Sequence, residues 1–517
     1  MDKCTFCVQR VERGLDPACV RTARVRALAF GDLDDPESEV SKILERRPSF
    51  RLLEEVGTEP RVHYVGGAPP TTETQADRAA RRRRCEAMAQ QVQRLPYGVG
   101  RTSRAWVAWV AVLAALAIAG WYGWSREISE GMIVTGLRDI GPMGGATWGI
   151  DVAFIVYWVG VSFAGITVAA LIRLANLHDL KPIARMAEAL TVVALLAATF
   201  AIMYDLGQPL RGIVNLFRYA RPQSPFFGTF TLVISGYLFA SLVYLYLDGR
   251  ADAAALARVP SRLQPFHRLW AAGYRDTPAE RARHDRTAFW LAIAIVPLLV
   301  TAHSTLGFVF GLQVGRPGWY SALQAPAFVL LAGVSGIGAL ILIAAVVRRT
   351  VPDAEIPDAA FRWLATALLV LLLAYLYFMV VEILTNIYTG AERERAVTRE
   401  LLSGHFAPIY WGSIATFAIS VGLLILRIVR RGAGLGPLVA AGVLVNLGAI
   451  GKRYLIVVPS QTHGTLLPYG TGSYAPTWVE YIEIVGLFAF VATLLLLFAK
   501  VFPILPLNRA PQGGEAA

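Results

Sequence analysis

From Ala105 onward the sequence alternates between apolar runs and short polar loops, and this pattern limits the fold more than any other feature. Each run approaches or exceeds the roughly 20 residues that cross a bilayer as a helix. Ten such runs begin near Ala105, Thr147, Pro182, Pro225, Thr287, Ser321, Ala360, His405, Gly436 and Trp478. Backbone groups in lipid must pair within their own segment, so the runs predict helices; the alternation of barrel strands is not seen. Gly160, Gly165, Pro297, Pro326, Gly333, Gly336 and Gly338 fall inside the runs, as membrane bundles allow. No repeat of 20–50 residues is seen. The expected fold class is an all-α polytopic membrane protein with a small polar N-terminal arm.

Composition supports this. Of 517 residues, 55% are hydrophobic and only 17% are charged, and the mean hydropathy is +0.49. Soluble chains carry about 25% charged residues, and disorder requires low hydrophobicity. Four Cys are too few for a disulfide scaffold. The net charge of +12 resembles a nucleic-acid signal, yet the basic residues sit in loops, where membrane proteins place Lys and Arg, so no nucleic-acid partner is expected. The opening residues do not read as a signal peptide or twin-arginine leader.

Loop charge predicts orientation. The 248–286 loop carries Arg250, Arg258, Arg262, Arg268, Arg275, Arg281, Arg283 and Arg286, the strongest inside signal. The arm before the first span, Arg348-Arg349 and Arg430-Arg431 agree with it. The 459–477 loop has no Lys, Arg, Asp or Glu and reads as outside. Both termini are then cytoplasmic. Two outside loops fit less well, with Arg211, Arg218 and Arg221 in one and Arg393, Arg395 and Arg399 in the other.

Ionisable residues inside spans cost about 2.5–3.5 kcal/mol on insertion scales and default to functional hypotheses. They are Asp151, Glu188, Asp205, His303, Glu382, Lys452, Arg453, Glu480 and Glu483. All but Glu188 fall in the outer half of their spans. The plain reading is that residues at span ends touch headgroups and water. The sharper reading is a polar pocket near the outer face. A quinone needs donors to its carbonyls and groups that exchange protons as electrons move. His303, Asp205, Asp151 and Arg453 supply that chemistry, with Tyr157 and Tyr204 as further donors and Glu382 as a candidate later in the chain. Glu188 and Thr191 are candidates for an inner proton path, although an interhelical hydrogen bond serves equally. A transporter site uses the same residue types. Haem is not expected: bis-His ligation needs two facing imidazoles, whereas only His303 lies clearly within a span, with His405 and His178 at borders.

The arm, residues 1–104, holds all four Cys. Cys4 and Cys7 in CxxC spacing, then Cys19, suit Fe–S or Zn ligation. A fourth ligand is expected four residues after Cys19, where Ala23 stands, so the set is incomplete. Cys85 is isolated beside Arg81–Arg84 and reads as structural or incidental.

CTFCVQRVERGLDPACVRT, with ALAFGDLDDPESEVSKIL and GTEPRVHYVG, resembles the C-terminal part of the four-cluster ferredoxin subunits of molybdopterin oxidoreductases, over roughly residues 1–66. The upstream cluster motifs are absent from the arm. Either it is a relic of fusion or a gene-boundary artefact, or it holds a partial cluster or docks an iron–sulfur partner.

The membrane region resembles the NrfD/PsrC family of polysulfide reductase-like membrane subunits, in its ten-helix branch. The carriers are Trp148-Gly149, Asp205-Leu206-Gly207-Gln208-Pro209, Ser224-Pro225 with Gly228, Ala302-His303-Ser304, and Trp319-Tyr320-Ser321. Others are Glu382 with Thr385 and Tyr388, Arg453-Tyr454 with Val457-Val458-Pro459, and Tyr474-Ala475-Pro476-Thr477-Trp478-Val479-Glu480. Gln208 stands where the family more often has Arg.

The resemblance implies two four-helix bundles, spans two to five and six to nine, with flanking outer helices. It implies a menaquinone or ubiquinone bound near the outer face, no haem, and exchange of electrons with an iron–sulfur partner and, through it, a molybdopterin or other catalytic subunit. The expected organisation is 1–66 ferredoxin-subunit-like, 67–104 basic linker, 105–506 ten-helix membrane domain and 507–517 tail, in a bacterial inner membrane. An arm on the inside face cannot wire a pocket on the outside face across a core of about 30 Å, which favours the relic reading. Two other classes stay open, a secondary transporter and a passive membrane anchor.

Overall fold

The computed structural model of the chain describes residues 7–23, 27–51, 61–66, 95–139, 148–219, 221, 229–352, 354–388, 390–430, 434–463 and 472–507. Two compact units divide it, Met1–Gln90 and Gln91–Ala517. In the first unit the described elements are short: helices Val8–Val11, Ala18–Thr22 and Glu39–Arg46, and an antiparallel pair of Ser49–Phe50 with Tyr64–Val65. Ser38 starts the third helix by accepting a hydrogen bond from the Ser41 amide, as N-cap serines do.

In the second unit, ten described helices are long and apolar enough to cross a membrane. They are α1 (Arg104–Glu130), α2 (Ile150–Leu174), α3 (Ala184–Asp205), α4 (Phe230–Leu256) and α5 (Pro278–Gly311). The rest are α6 (Gln324–Thr350), α7 (Asp358–Tyr388), α8 (Ala407–Val429), α9 (Gly436–Val457) and α10 (Trp478–Val501). Their order matches the ten apolar runs. The expected starts at Thr147 and Pro225 differ by a few residues from the described starts, and Thr147, Pro225, Ser224 and Gly228 lie outside the described residues. One boundary differs more: α5 begins at Pro278, well before Thr287. Thr277 and Glu280 form a capping box, with the Thr277 hydroxyl accepting from the Glu280 amide at 3.3 Å, so the helix starts within the arginine-rich loop and runs into the apolar segment.

Packing follows two closed rings. Helices α2, α3, α4 and α5 contact one another in turn, and α5 returns to α2. Helices α6, α7, α8 and α9 do the same, and α9 returns to α6. The rings join where α6 meets α2 and α5 and where α9 meets α2. Small residues make that seam close: a Cβ on Gly336 would come within 2.6 Å of the Val161 carbonyl. Helices α1 and α10 pair with each other outside the rings, and α10 leans on α3 and α2. Burial matches: 83% of an 18-residue apolar stretch of α2 is enclosed against 11% for α1. The exposed apolar side chains of α1, α4 and α7, such as Trp109, Phe239 and Tyr377, are what a lipid-facing surface requires.

Because successive spans run antiparallel, the end of α1, the start of α2, the end of α3 and the start of α10 share one end of the bundle. We call it the carboxylate end, and the opposite end, with the 248–286 loop, the arginine end.

Candidate functional site

At the carboxylate end, four helices bring five acids together. Glu127 lies in the last turn of α1, Asp151 in the first turn of α2, Asp205 closes α3, and Glu480 and Glu483 open α10. Glu127, Asp151, Glu480 and Glu483 are buried, and Asp205 is half-buried. The charges acting most strongly on Glu127, Asp151 and Glu483 are those of the other acids. Glu127 was not legible as a member: SREISE at a span end reads as a headgroup contact, and only the pairing of α1 with α10 turns it inward.

The five acids are not equivalent. Glu480 is fully supplied with donors. It accepts from the Gly136 amide at 2.8 Å, the Thr477 amide at 2.7 Å and the Tyr474 hydroxyl. Tyr474 in turn accepts from the Ile150 amide at 2.8 Å, which ties the start of α2 to the loop before α10. Burial beside Glu480 pushes the Tyr474 hydroxyl well above its usual range. By contrast, both oxygens of Glu127, both of Glu483, and one each of Asp151 and Asp205 have no hydrogen-bond partner among the described residues. Oxygens of Glu127, Asp151 and Glu483 lie within 4.8 Å of one another. Tyr204 is buried beside Trp124, ring centroids 5.6 Å apart.

Deeper in the first ring, His303 joins α5 to α2. Its Nε2 is 2.8 Å from the Val159 carbonyl and its Nδ1 is 3.0 Å from the Leu299 carbonyl. A neutral imidazole has one N–H, so only a doubly protonated ring donates to both carbonyls. Phe163 covers the ring, centroids 4.6 Å apart. Arg453 of α9 sits at the seam, with Nη2 donating to the Phe328 carbonyl at 3.3 Å, its guanidinium 4.3 Å from the centre of the Phe328 ring, and Nη1 without a partner among the described residues. Tyr157 donates to Asn446 at 2.9 Å, a link from α2 to α9. The seven expected residues therefore do not form one pocket. Asp151, Asp205 and Tyr204 gather at the carboxylate end, while His303, Tyr157 and Arg453 are each occupied in joining helices nearby.

Glu382 stands apart, in the second ring. It accepts from Lys452 at 3.2 Å and Gln324 at 3.2 Å. Glu382 and Lys452 line an open cleft together with Asn386, Thr398 and the Ser460 hydroxyl, which has no hydrogen-bond partner among the described residues. The Lys452–Glu382 pair is more than the sequence reading offered for either residue.

At the arginine end, Arg185 pairs with Asp252 at 2.7 Å and Asp248 at 2.9 Å, and Glu188 is buried with one oxygen that has no partner among the described residues. Thr191 donates to the Ser162 carbonyl at 3.0 Å, and Tyr237 to the Ser162 hydroxyl at 3.0 Å. Thr191 therefore serves as an interhelical tie.

In the first unit, Cys7 is half-buried and Cys19 exposed, both with free thiols, and Cys4 and Cys85 lie outside the described residues. Ala23 ends the helix Ala18–Thr22 and offers no ligand atom. The residues present do not complete a four-Cys set.

The profile of the family described as polysulphide reductase, NrfD, matches residues 140–464. A putative dimethyl sulfoxide reductase membrane subunit of Halobacterium salinarum is 30% identical over 223 residues, 43% of this chain and 47% of that protein. The chain thus spans less than half of that relative's length. An Hdr-like menaquinol oxidoreductase integral membrane subunit of Archaeoglobus fulgidus is 25% identical over 374 residues, 69% of this chain and 85% of that protein. A 67-residue stretch, 13% of the chain, is 51% identical to 26% of a putative dimethyl sulfoxide reductase iron-sulfur subunit of Halobacterium salinarum.

Proposed function

From the premise that this chain belongs to the polysulphide reductase NrfD family, we propose that it is the quinone-reactive membrane subunit of a multi-subunit oxidoreductase. It exchanges electrons between the quinone pool and an iron–sulfur partner, and substrate chemistry resides in a further subunit, of molybdopterin or other type. Support comes from the relative named as a menaquinol oxidoreductase subunit and from the likeness of a 67-residue stretch to an iron–sulfur subunit.

The observation that carries the reading is Asp205. It is the half-buried acid of the carboxylate group, and one of its oxygens has no donor among the described residues. A quinol hydroxyl donates there. On oxidation the quinol gives two electrons to the iron–sulfur partner and two protons to nearby bases, of which Asp205 is the first. Tyr204 orients the headgroup. His303 and Arg453 act through proton exchange and charge at the ring seam, and Tyr157 holds α2 to α9 beside them. Glu188 stands on the inner path by which protons reach the centre, and Thr191 ties α3 to α2 beside it.

Loop charge supports a cytoplasmic-membrane placement with the arginine end and both termini inside and the carboxylate end outside. A second reading seats the headgroup between α7, α9 and the helix Glu392–Leu402, favoured by the open cleft at Glu382 and Lys452.

The test is quenching of a fluorescent quinol-analogue inhibitor by the complex purified with its partners. Asp205→Asn weakens saturable binding at least tenfold and Glu382→Gln leaves it unchanged; the reverse result selects the second cleft. His303→Ala abolishes quinol-dependent electron flow in an assembled complex. No saturable binding in an intact sample would return the chain to a transporter or an anchor.

A further inference from the structure

Glu127, Asp151 and Glu483 pose a problem of charge. All three are buried, and five of their six carboxyl oxygens meet no donor among the described residues. A buried carboxylate without a partner is strongly unfavourable. Glu480, one turn away on α10, shows how the fold treats an acid it means to keep as a structural tie: three donors converge on it. The other three are left open towards each other instead. The contact between Glu127 and Glu483 is a hydrogen bond only when one of them carries a proton.

Their spacing answers the problem. Oxygens of the three side chains lie within 4.8 Å of one another. A calcium ion takes oxygen ligands at about 2.3–2.6 Å, so ligands on opposite sides of it stand about 4.6–5.2 Å apart. One ion of that size reaches all three carboxylates at once. Magnesium binds oxygen at about 2.0–2.1 Å, keeps several waters and is held by one or two carboxylates more often than by an all-protein cage, so three buried carboxylates suit calcium better. The donor set is oxygen alone, without the thiolate or imidazole that softer metals prefer. Asp205 and Glu480 add further negative field at Glu127 and Asp151.

We propose that Glu127, Asp151 and Glu483 form a binding site for a hard divalent cation of the calcium class, which clamps α1, α2 and α10 together at the carboxylate end. The ion offsets two of the three negative charges of the inner carboxylates and leaves Asp205 as the exchangeable acid. The site does not depend on the quinone reading, since it is tested without any quinol.

The experiment uses the full chain in mild detergent, stripped with a chelator and then titrated with calcium chloride. Calcium raises the melting temperature saturably, and magnesium at equal concentration raises it less. Terbium, a luminescent substitute for calcium, emits on excitation of Trp124, and calcium displaces it. Glu127→Gln/Glu483→Gln weakens both responses tenfold or more, and Asp151→Asn does so in a chain that keeps both glutamates. The amides of the double variant supply donors of their own, so it folds without the ion. Melting and emission indifferent to calcium and terbium, together with an infrared carboxylic-acid band that the double variant removes, would overturn the proposal and make the group a store of protons. A calcium response that persists in the double variant would overturn it as well.

Discussion

At the scale of single residues, the acids at the carboxylate end differ by what surrounds them, not by type. Glu480 holds two loops: Gly136 lies after α1, and Thr477 and Tyr474 precede α10. Removing its carboxylate strands these donors, each hydrogen bond to a charged group being worth about 1.5–3 kcal/mol. Glu480→Ala is therefore expected to lower the melting temperature of the detergent-solubilised chain by several degrees. Glu483→Gln, in the presence of a chelator, leaves the melting temperature unchanged or raises it, because it removes an uncompensated buried carboxylate. The same measurement separates the two glutamates. The residue list was largely readable from the sequence, because an ionisable side chain in an apolar run is conspicuous. Which residues share a group was not. Asp151 and Asp205 are 54 positions apart, and Glu127 and Glu483 come from opposite ends of the membrane region.

At the scale of elements, helices are joined by buried polar ties and by close backbone approach. Arg185 binds α3 to α4 through Asp248 and Asp252, and Asp252 also accepts from the Leu507 amide at 3.2 Å. Breaking a buried ion pair from one side costs about 3–5 kcal/mol. Arg185→Ala is expected to destabilise by that order, and Arg185→Lys by less, as read by thermal unfolding in detergent. Between α1 and α10 the contact is backbone on backbone: a Cβ on Gly120 would come within 2.9 Å of the Gly486 Cα. Gly120→Val pries the pair apart and lowers the melting temperature, whereas Gly236→Val on α4, where a Cβ meets open space, does not. The helix Glu392–Leu402 adds a pH effect. Burial holds the Glu394 carboxyl above its usual range, against the pull of the Gly318 amide. The folded state then binds its proton more tightly than the unfolded state does, so stability falls as pH rises from the ordinary glutamate range. The loss is expected to be smaller in Glu394→Gln, measured as the melting-temperature difference between pH 5 and pH 7.

For the whole molecule, the two closed rings and the outer α1–α10 pair leave a lipid-facing surface all round. The proposed orientation gives a direct expectation. A protease site inserted after Arg262 is protected in intact spheroplasts, and one inserted after Ser473 is cleaved. The opposite pattern would turn the carboxylate end to the inside and reverse the argument about which face a quinol approaches. It would also place the start of α1 and the end of α10 on the outer face.

The sequence by itself determined the number, order and approximate limits of the spans. Lipid offers no hydrogen bonds, so an apolar run of sufficient length has one solution, and local composition is enough to find it. It also determined the family, through short strings kept in order along the chain. The early start of α5 was written there too, in Thr277, Pro278 and Glu280, but the charged residues that follow mask it in an apolar count. The tertiary structure alone decided that Glu480 is satisfied while Glu127, Asp151 and Glu483 are open, that His303 faces two carbonyls, and that Lys452 and Glu382 pair across α9 and α7. Those facts depend on helix rotation and on which backbones touch. Rotation is set by many small contacts, such as Gly336 against Val161 and Gly120 against Gly486, that join residues far apart in the chain.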